Sequence, residues 1–155
     1  MNISRPYRNR GAFTLIELLV VIAVIAILAS LVLATSGYVQ DKAARSRAEA
    51  EIAALSAALE SYRVDNGTYP TNSSPTNNQI LITELMPTNT NSKVYFEFAK
   101  NMTNANRVLD PYGRPYNYQY NEPPGTNRSG VGFFDLWSTG KKASEADTNL
   151  WIKNW

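Results

Sequence analysis

The chain has 155 residues, with 15 Lys and Arg against 13 Asp and Glu, and it contains neither His nor Cys. The commonest general base and the best thiol nucleophile are therefore missing, which disfavours an enzyme; Ser138 and Lys141 are the formal catalytic alternative. Three arginines within residues 1–12 supply the positive excess, because removing that segment leaves 12 basic against 13 acidic residues, a net charge of −1. The remainder of the chain offers no basic surface for direct nucleic-acid binding.

An apolar run of about 22 residues extends from Phe13 to Ala34 and contains one acid, Glu17. At ~1.5 Å per residue this run forms a helix of roughly 33 Å, enough to cross the ~30 Å hydrocarbon core of a bilayer. The sequence therefore predicts a transmembrane helix over residues 13–35. A carboxylate within such a helix costs about 2.5–3.5 kcal/mol at mid-membrane and less towards an end, so Glu17 is expected to have a partner.

The flanking sequence predicts the orientation of the membrane helix. Arg5, Arg8 and Arg10 precede the apolar run in a stretch without acids, which favours a cytoplasmic N-terminus and places the bulk of the chain across the membrane. The same order of basic and apolar stretches describes a secretory signal peptide, with small residues over 34–37 as the cleavage site. That alternative would release a soluble periplasmic or secreted binding protein starting near Thr35.

A second helical stretch is predicted over residues 36–66, in continuation of the first. An apolar stripe recurs at steps of three and four, which is the period of an amphipathic helix. Its members are Ala44, Ala48, Ile52, Leu55, Leu59 and Tyr62. The charges Arg45, Arg47, Glu49 and Glu51 fall largely off this stripe and are interpreted as a solvated face with i,i+4 pairs. Asn66-Gly67 predicts the end of the helix, because Gly tolerates the left-handed conformation found there.

Residues 67–155 are predicted to form a small globular head. Asn and Thr crowd residues 71–78 and 88–92, which are interpreted as polar loops, and Ile80–Met86 is a short helix ended by Pro87. Alternating patterns predict about three strands, at Val94–Phe98, Tyr116–Tyr120 and Val131–Trp137. Asp110–Gly113 has the residue preferences of a type I turn. The predicted fold class is α+β, a long N-terminal helix packed on a small antiparallel sheet.

The string Gly11-Ala12-Phe13-Thr14-Leu15-Ile16-Glu17 resembles the cleavage and methylation motif of type IV prepilins and type II secretion pseudopilins. The resemblance implies that a prepilin peptidase removes a cytoplasmic leader and methylates the new N-terminal residue. Cleavage after Ala12 makes Phe13 the first residue and Glu17 the fifth, as in the family. Cleavage after Gly11 would make Glu17 the sixth, so residues 1–12 are the predicted leader and Phe13 is the predicted site of N-methylation.

The same motif suggests a partner for the buried acid. Cleavage would free a cationic α-amino group at Phe13, which a neighbouring subunit's Glu17 could meet where the apolar helices bundle. Thr14 could add a hydrogen bond at this place, so Phe13, Thr14 and Glu17 are the predicted assembly residues. A contact between Phe13 and Glu17 one turn apart in the same chain is the local alternative.

Four strings in the head resemble signatures of the major pseudopilin of type II secretion, in the same order and at similar spacing. They are Asn66–Thr71, Asp110–Tyr116, Phe134–Gly140 and Ile152–Trp155. The resemblance implies a pilin-like fold and a homo-oligomeric filament in the periplasm, anchored first in the inner membrane with the head on the periplasmic side. It also implies minor pseudopilins and an inner-membrane platform protein as partners. A surface type IV pilin or a competence-type pilin is the alternative, although surface pilins often carry a C-terminal disulfide loop and this chain has no Cys.

Major pseudopilins also bind Ca²⁺ in the loop after the Ser-x-Gly string. The matching candidates here are Ser138, Glu145 and Asp147, since calcium takes six to eight oxygen ligands including several carboxylates. The chain departs from the family at Lys142 and Trp151, where the family has aspartates. The alternative interpretation is that the two acids simply lie on a solvated loop.

Overall fold

The structure is a computed structural model that describes residues 13–72, 74–89, 91–120, 128–130, 132–141 and 148–155. Helix α1 spans Leu15–Asn66 and helix α2 spans Gln79–Leu85. Five short strands follow in chain order. They are β1 (Thr103–Asn104), β2 (Arg107–Val108), β3 (Asn117–Gln119), β4 (Asp135–Ser138) and β5 (Ile152–Lys153). Two compact units divide the chain between Val39 and Gln40.

The first unit contains the apolar part of α1. Its large apolar side chains are exposed along the whole stretch, from Leu15 at 81% to Leu33 at 76%. Within the described residues, α1 is the helix long and apolar enough to cross a membrane by length and composition, with an 18-residue window of mean hydropathy 3.1. The Ser30 and Ser36 hydroxyls donate to the carbonyls of Ile27 and Val32, which satisfies both groups within the helix. This unit is therefore a candidate membrane anchor.

The second unit begins with the amphipathic part of α1, where the predicted stripe is confirmed. Ala48, Ile52, Leu55 and Leu59 are buried in the core of the head. The helix ends at Asn66 as predicted, and Gly67 adopts a φ of +81° while its N–H donates to the Arg63 carbonyl at 2.7 Å. This left-handed residue satisfies one of the carbonyls that a helix end leaves free.

One charge on this part of the helix is not solvated. Arg45 and Glu49 form a half-exposed i,i+4 pair at 3.2 Å, as the interpretation of a solvated face requires. Glu51, by contrast, has a side chain only 12% exposed, and it accepts hydrogen bonds from both Arg47 and the Tyr116 hydroxyl at 2.8 Å. The prediction of a fully solvated charged face is therefore wrong at Glu51, because the head covers this carboxylate.

The head contains two small antiparallel sheets. Strands β1 and β2 form a hairpin, and β3, β4 and β5 form a sheet in that order. Asn117 pairs with Trp137 and Gln119 with Asp135 across β3 and β4. The residues between them, Tyr118 and Leu136, are completely buried and pack in the same cluster as the stripe of α1. The α+β fold with a long helix on a small antiparallel sheet is thus confirmed.

Strand positions were predicted less well than helices. The predicted strand at Val94–Phe98 is wrong: the N–H groups of Tyr95 and Phe96 both donate to the Leu85 carbonyl, so this segment closes the end of α2 instead of joining a sheet. The predicted strands at Tyr116–Tyr120 and Val131–Trp137 correspond to β3 and β4, although Val131 lies outside the described residues. The hairpin β1–β2 and strand β5 were not predicted, since two-residue strands carry no visible alternation.

The predicted turn is confirmed and belongs to a buried network. The Gly113 N–H donates to the Asp110 carbonyl at 2.9 Å, the bond that closes a β-turn. The Asp110 side chain accepts from the N–H groups of Tyr112 and Arg114 and from the Ser138 hydroxyl. This carboxylate therefore connects the turn to the end of β4.

Candidate functional site

The predicted assembly residues lie at the start of α1, where the chain enters the helix. The Leu18 N–H donates to the Thr14 carbonyl, so Thr14 stands immediately before the first helical residue, Leu15. Phe13 lies outside the helix, and 85% of its surface is exposed. Ala12 and Gly11, the two candidates for the residue before the cut, lie outside the described residues.

Thr14 and Glu17 form a reciprocal cap on the helix. The Thr14 backbone N–H and hydroxyl both donate to Glu17 Oε2, at 2.8 and 2.7 Å. The Glu17 N–H in turn donates to Thr14 Oγ1 at 3.3 Å. This is a capping box, in which a Thr before the helix and a Glu three residues later satisfy each other's backbone donors. A negative carboxylate is also favoured at this end by the helix dipole.

The cap supplies a local partner for Glu17. The sequence predicted a Thr14 hydrogen bond at this place and a contact with Phe13 as the intrachain alternative. In the structure, the described hydrogen bonds of the Glu17 carboxylate go to Thr14. The spacing Thr-x-x-Glu before an apolar run is the signal that identifies a capping box in a sequence, and Thr14 and Glu17 have this spacing.

Exposed apolar side chains lie on either side of Glu17 on the helix surface. Ile16 is 64% exposed and Leu18 is 63% exposed, and they flank the carboxylate on the helix surface. The charge therefore lies on a surface suited to lipid or to other apolar helices. In such an environment a carboxylate costs less when its oxygen accepts hydrogen bonds, as Glu17 Oε2 does from Thr14.

The calcium candidates are only partly described. Ser138 is completely buried, and its hydroxyl donates to Asp110 and accepts from the Gly140 N–H at 2.9 Å. Glu145 and Asp147 lie outside the described residues. The described residues contain no group of three or more acidic, His or Cys side chains placed to hold a metal ion. The Ser138 hydroxyl thus makes two hydrogen bonds within the fold, and one of them is to the Asp110 side chain of the turn.

Trp151, one of the two positions at which the chain departs from the calcium pattern, lies among the described residues. Trp151 is 5% exposed and stacks on Trp137, with ring centroids 5.5 Å apart and planes 13° from parallel. The Arg128 guanidinium lies over the Trp151 ring at 4.9 Å. An indole held between an aromatic ring and a cation supplies no oxygen ligand, so this position contributes packing instead of charge.

An apolar helix of membrane length begins at the capping box of Thr14 and Glu17 and continues into a small antiparallel head. This arrangement defines a pilin-like protein. Comparison with known families agrees. Residues 7–33 match the family model described as the prokaryotic N-terminal methylation motif, and residues 37–155 match the model of type II secretion system protein G. The chain belongs to the type II secretion system protein G family.

Individual relatives support the same assignment over nearly the full length. The core protein G of the type II secretion system from Pseudomonas aeruginosa is 34% identical, covering 96% of each chain. The protein of the same name from Vibrio cholerae is 33% identical over 97% of this chain and 95% of its own. The Escherichia coli protein is 33% identical over 96% and 92%. These names favour the secretion reading over a surface pilin or a cleaved periplasmic binding protein.

Proposed function

We propose that this protein is a structural subunit of a periplasmic pseudopilus that drives protein export by type II secretion. The single observation that carries the proposal is the capped acid Glu17 at the start of an exposed apolar helix, within a matched methylation motif. An acid is unnecessary for anchoring, so its retention points to a role in assembly. The type II secretion system protein G family consists of structural subunits, which agrees with a sequence that contains neither His nor Cys.

Processing creates the assembly-competent form. A prepilin peptidase cuts between Ala12 and Phe13 and methylates the Phe13 amine. Phe13 lies before the helix and is 85% exposed, which supports cleavage at this place, since a protease needs backbone that is not hydrogen-bonded within a helix. The cut leaves Thr14 and Glu17 as the second and fifth residues, directly behind the new cationic terminus.

Assembly transfers Glu17 from its own cap to a neighbour. In the membrane, the Thr14 hydrogen bonds stabilise the carboxylate of a lone subunit. In the filament, the Phe13 amine of an adjacent subunit adds a cationic partner in a low-dielectric bundle, where attraction exceeds that in water but is offset by desolvation. The pair mainly fixes the axial register between subunits.

The proposed topology and partners follow from the same arrangement. Arg5, Arg8 and Arg10 hold the leader in the cytoplasm, so residues 13–35 cross the inner membrane once and the head lies in the periplasm. Residues 36–66 continue the helix into the head of residues 67–155. Further copies of this chain, minor pseudopilins and an inner-membrane platform protein are the proposed partners. Ca²⁺ binding near Ser138, Glu145 and Asp147 is tested separately by calorimetric titration.

Mass spectrometry of the mature N-terminus tests the proposal directly. A protein purified from membranes of a host with a prepilin peptidase should begin with N-methylated Phe13, and a host without the peptidase should yield the intact chain. A mature protein beginning near Thr35 would instead establish signal-peptide cleavage, leaving no helix for assembly. An Ala12→Leu variant should remain uncut, whereas a change beyond the motif, Ser30→Ala, should be processed normally.

A further inference from the structure

The C-terminal end of α1 places an Asn directly before a Gly, and Asn66-Gly67 is the one such pair in the sequence. In an Asn-Gly pair the backbone nitrogen of Gly67 can attack the side-chain amide carbon of Asn66, because Gly has no side chain to hinder the approach. The nitrogen gives up its proton, ammonia leaves, and a five-membered succinimide ring forms. Water then opens the ring to aspartate or isoaspartate. Both residues are exposed, so water reaches this pair.

The attacking nitrogen is held by the end of the helix. The Gly67 N–H donates to the Arg63 carbonyl at 2.7 Å, and the reaction requires this N–H to lose its proton. Asn66 is the last residue of α1. Ring closure needs the Gly67 nitrogen nearly eclipsed with Asn66 Cβ about the Cα–C bond, whereas a helical ψ of about −42° turns the nitrogen away. The folded backbone therefore opposes the first step.

The leaving amide is held as well. Asn66 Nδ2 donates to the Tyr62 carbonyl at 2.9 Å and to the Tyr95 hydroxyl at 3.2 Å. The Tyr62 carbonyl lies one turn back along α1, so the amide is directed towards the preceding turn and away from Gly67. Both hydrogen bonds must break before the amide carbon can meet the Gly67 nitrogen.

Lys93 and Tyr95 clamp this end of α1 from a separate segment of the head. The Lys93 ammonium pairs with the Asp65 carboxylate at 2.5 Å and lies 5.0 Å from the centroid of the Tyr95 ring. The Tyr95 ring meets the Tyr62 ring edge-on, with centroids 5.3 Å apart. These contacts fix the hydroxyl that accepts from Asn66. The clamp therefore joins the last turn of α1 to the rest of the head.

We propose that Asn66 is a latent deamidation site that the clamp of Lys93 and Tyr95 keeps closed. Local unfolding of the last turn of α1 releases both the Gly67 nitrogen and the Asn66 amide, and ring closure follows. The product adds a negative charge beside Asp65 at the C-terminus of the helix, where the helix dipole disfavours an anion. It also lacks the Nδ2 donor, so the original hydrogen bonds cannot form again. This modification site does not depend on the proposed filament role.

Peptide mass spectrometry of the full chain tests the proposal. The protein is incubated in detergent at mildly alkaline pH, either folded or with urea, and is digested at acidic pH, where deamidation is slow. Conversion of Asn66 to aspartate and isoaspartate should be at least about tenfold slower in the folded chain than in urea. Asn72, which precedes a Ser and donates to the Tyr118 carbonyl, reports unfolding of the head as a whole.

Two variants open the clamp in different ways. Tyr95→Phe keeps the ring and removes one acceptor of the Asn66 amide, and Lys93→Gln removes the pair with Asp65. Each should raise the rate of Asn66 conversion in the folded chain at least about threefold, since each removes one hydrogen bond, and should leave the rate in urea unchanged. Lys100→Gln changes an exposed Lys that forms no ion pair in the described part of the chain, so it is the matched control and should react as the wild type does.

Three results would overturn the proposal. Equal rates of Asn66 conversion in the folded chain and in urea would show that the fold does not protect the pair. Wild-type rates in both clamp variants, or the same acceleration in Lys100→Gln, would remove the role of Lys93 and Tyr95. A rise in Asn72 conversion equal to that of Asn66 would trace the reaction to unfolding of the whole head and not to the end of α1.

Discussion

Asn78 binds Val108 through both of its side-chain amide atoms. Asn78 Nδ2 donates to the Val108 carbonyl at 2.7 Å, and the Val108 N–H donates to Asn78 Oδ1 at 3.2 Å. The same Nδ2 donates to the Tyr116 carbonyl at 2.8 Å. Asn78 is completely buried, and it lies immediately before α2. Its side chain therefore acts as a substitute strand partner for β2 and connects α2, β2 and the segment entering β3.

Asn78→Ala should strongly destabilise the head. The change removes the Asn78 partner of the Val108 N–H and of the Tyr116 carbonyl, each at a cost of about 1–3 kcal/mol, whereas the Val108 carbonyl still accepts from the Tyr116 N–H. We expect a loss of about 2 kcal/mol or more in the free energy of unfolding, measured by urea titration of the full chain in detergent with Trp fluorescence. The exposed Asn101→Ala should stay within about 0.5 kcal/mol of wild type. Equal midpoints for the two variants would show that the Asn78 bonds contribute nothing net.

The sequence predicted the helical part of the fold well and the Asn78 bonds not at all. The stripe from Ala48 to Leu59 follows a local period, so it is visible in any window of a dozen residues. Asn78 instead meets Val108 and Tyr116, which lie 30 and 38 residues further along the chain. Its neighbours in the Asn- and Thr-rich segment predict a polar loop, and only the folded structure distinguishes a buried Asn from solvated ones.

The hydrogen bond between Thr14 and Glu17 is the part of the candidate site that the sequence predicts and the structure shows. The methylation motif predicts Phe13, Thr14 and Glu17 as the assembly residues, and this role stays a prediction. A neighbouring amine as a further partner of Glu17 depends on a second subunit and stays a prediction too. The Thr14 hydrogen bonds and a later pairing with a neighbouring Phe13 amine are compatible, because the Glu17 carboxylate still has an oxygen able to accept a further donor.

Ser138→Ala should destabilise the head through Asp110. The Ser138 hydroxyl donates to Asp110 Oδ2 within the core, and Asp110 is 4% exposed. Removing the donor leaves one oxygen of a buried carboxylate less satisfied, so we expect a loss of about 1–3 kcal/mol in the free energy of unfolding. The measurement is thermal unfolding followed by circular dichroism. Ser61→Ala, whose hydroxyl is exposed on α1, is the control and should change stability little; a similar loss in both variants would refute the role of Asp110.

The free energy of unfolding should fall at alkaline pH because the Tyr62 hydroxyl ionises. Burial, with a hydrogen bond to Glu84 at 2.8 Å, raises the pKa of Tyr62 to about 12 from an ordinary value of 10.0. Because the folded pKa is raised, this contribution to stability is complete below pH 10 and is lost between pH 10 and about 12. Burial likewise raises the pKa values of Tyr116 and Tyr118.

Spectrophotometric titration of tyrosinate checks this account. Glu84→Gln removes the charge that holds the Tyr62 proton, so one tyrosine should titrate at lower pH than in the wild type. Tyr62→Phe should remove that step and reduce the fall in stability across the same pH interval. An unchanged titration curve in Glu84→Gln would show that Glu84 does not influence the pKa of Tyr62.

Gly67→Ala should destabilise the end of α1 through backbone strain alone. Gly67 has a φ of +81°, and a Cβ added there would meet nothing within 4 Å. The left-handed conformation costs about 1–2 kcal/mol for a residue with a side chain. Gly67→Asn is the matched variant, and it should recover part of this loss because Asn tolerates the conformation. Denaturation midpoints that rank Ala at or above Asn would contradict the assignment of strain to this residue.

Glu17→Gln should separate capping from assembly. Gln also serves as the third helical residue of a capping box, so the variant keeps an acceptor for Thr14 and should insert in the membrane normally. It loses the negative charge that the amine of a neighbouring Phe13 requires. We therefore expect normal membrane levels, measured by carbonate extraction, with at least about a tenfold loss of sheared fibres in cells that contain the secretion machinery. Glu49→Gln, an exposed acid paired with Arg45, is the control and should assemble as the wild type does.

Thr14→Ala supplies the reverse test, since it removes the cap at a cost of about 0.5–2 kcal/mol but keeps the charge. It should therefore retain more fibre than Glu17→Gln. Wild-type fibre from Glu17→Gln would mean that the carboxylate serves only as a helix cap, and the proposed pairing between subunits would then be wrong.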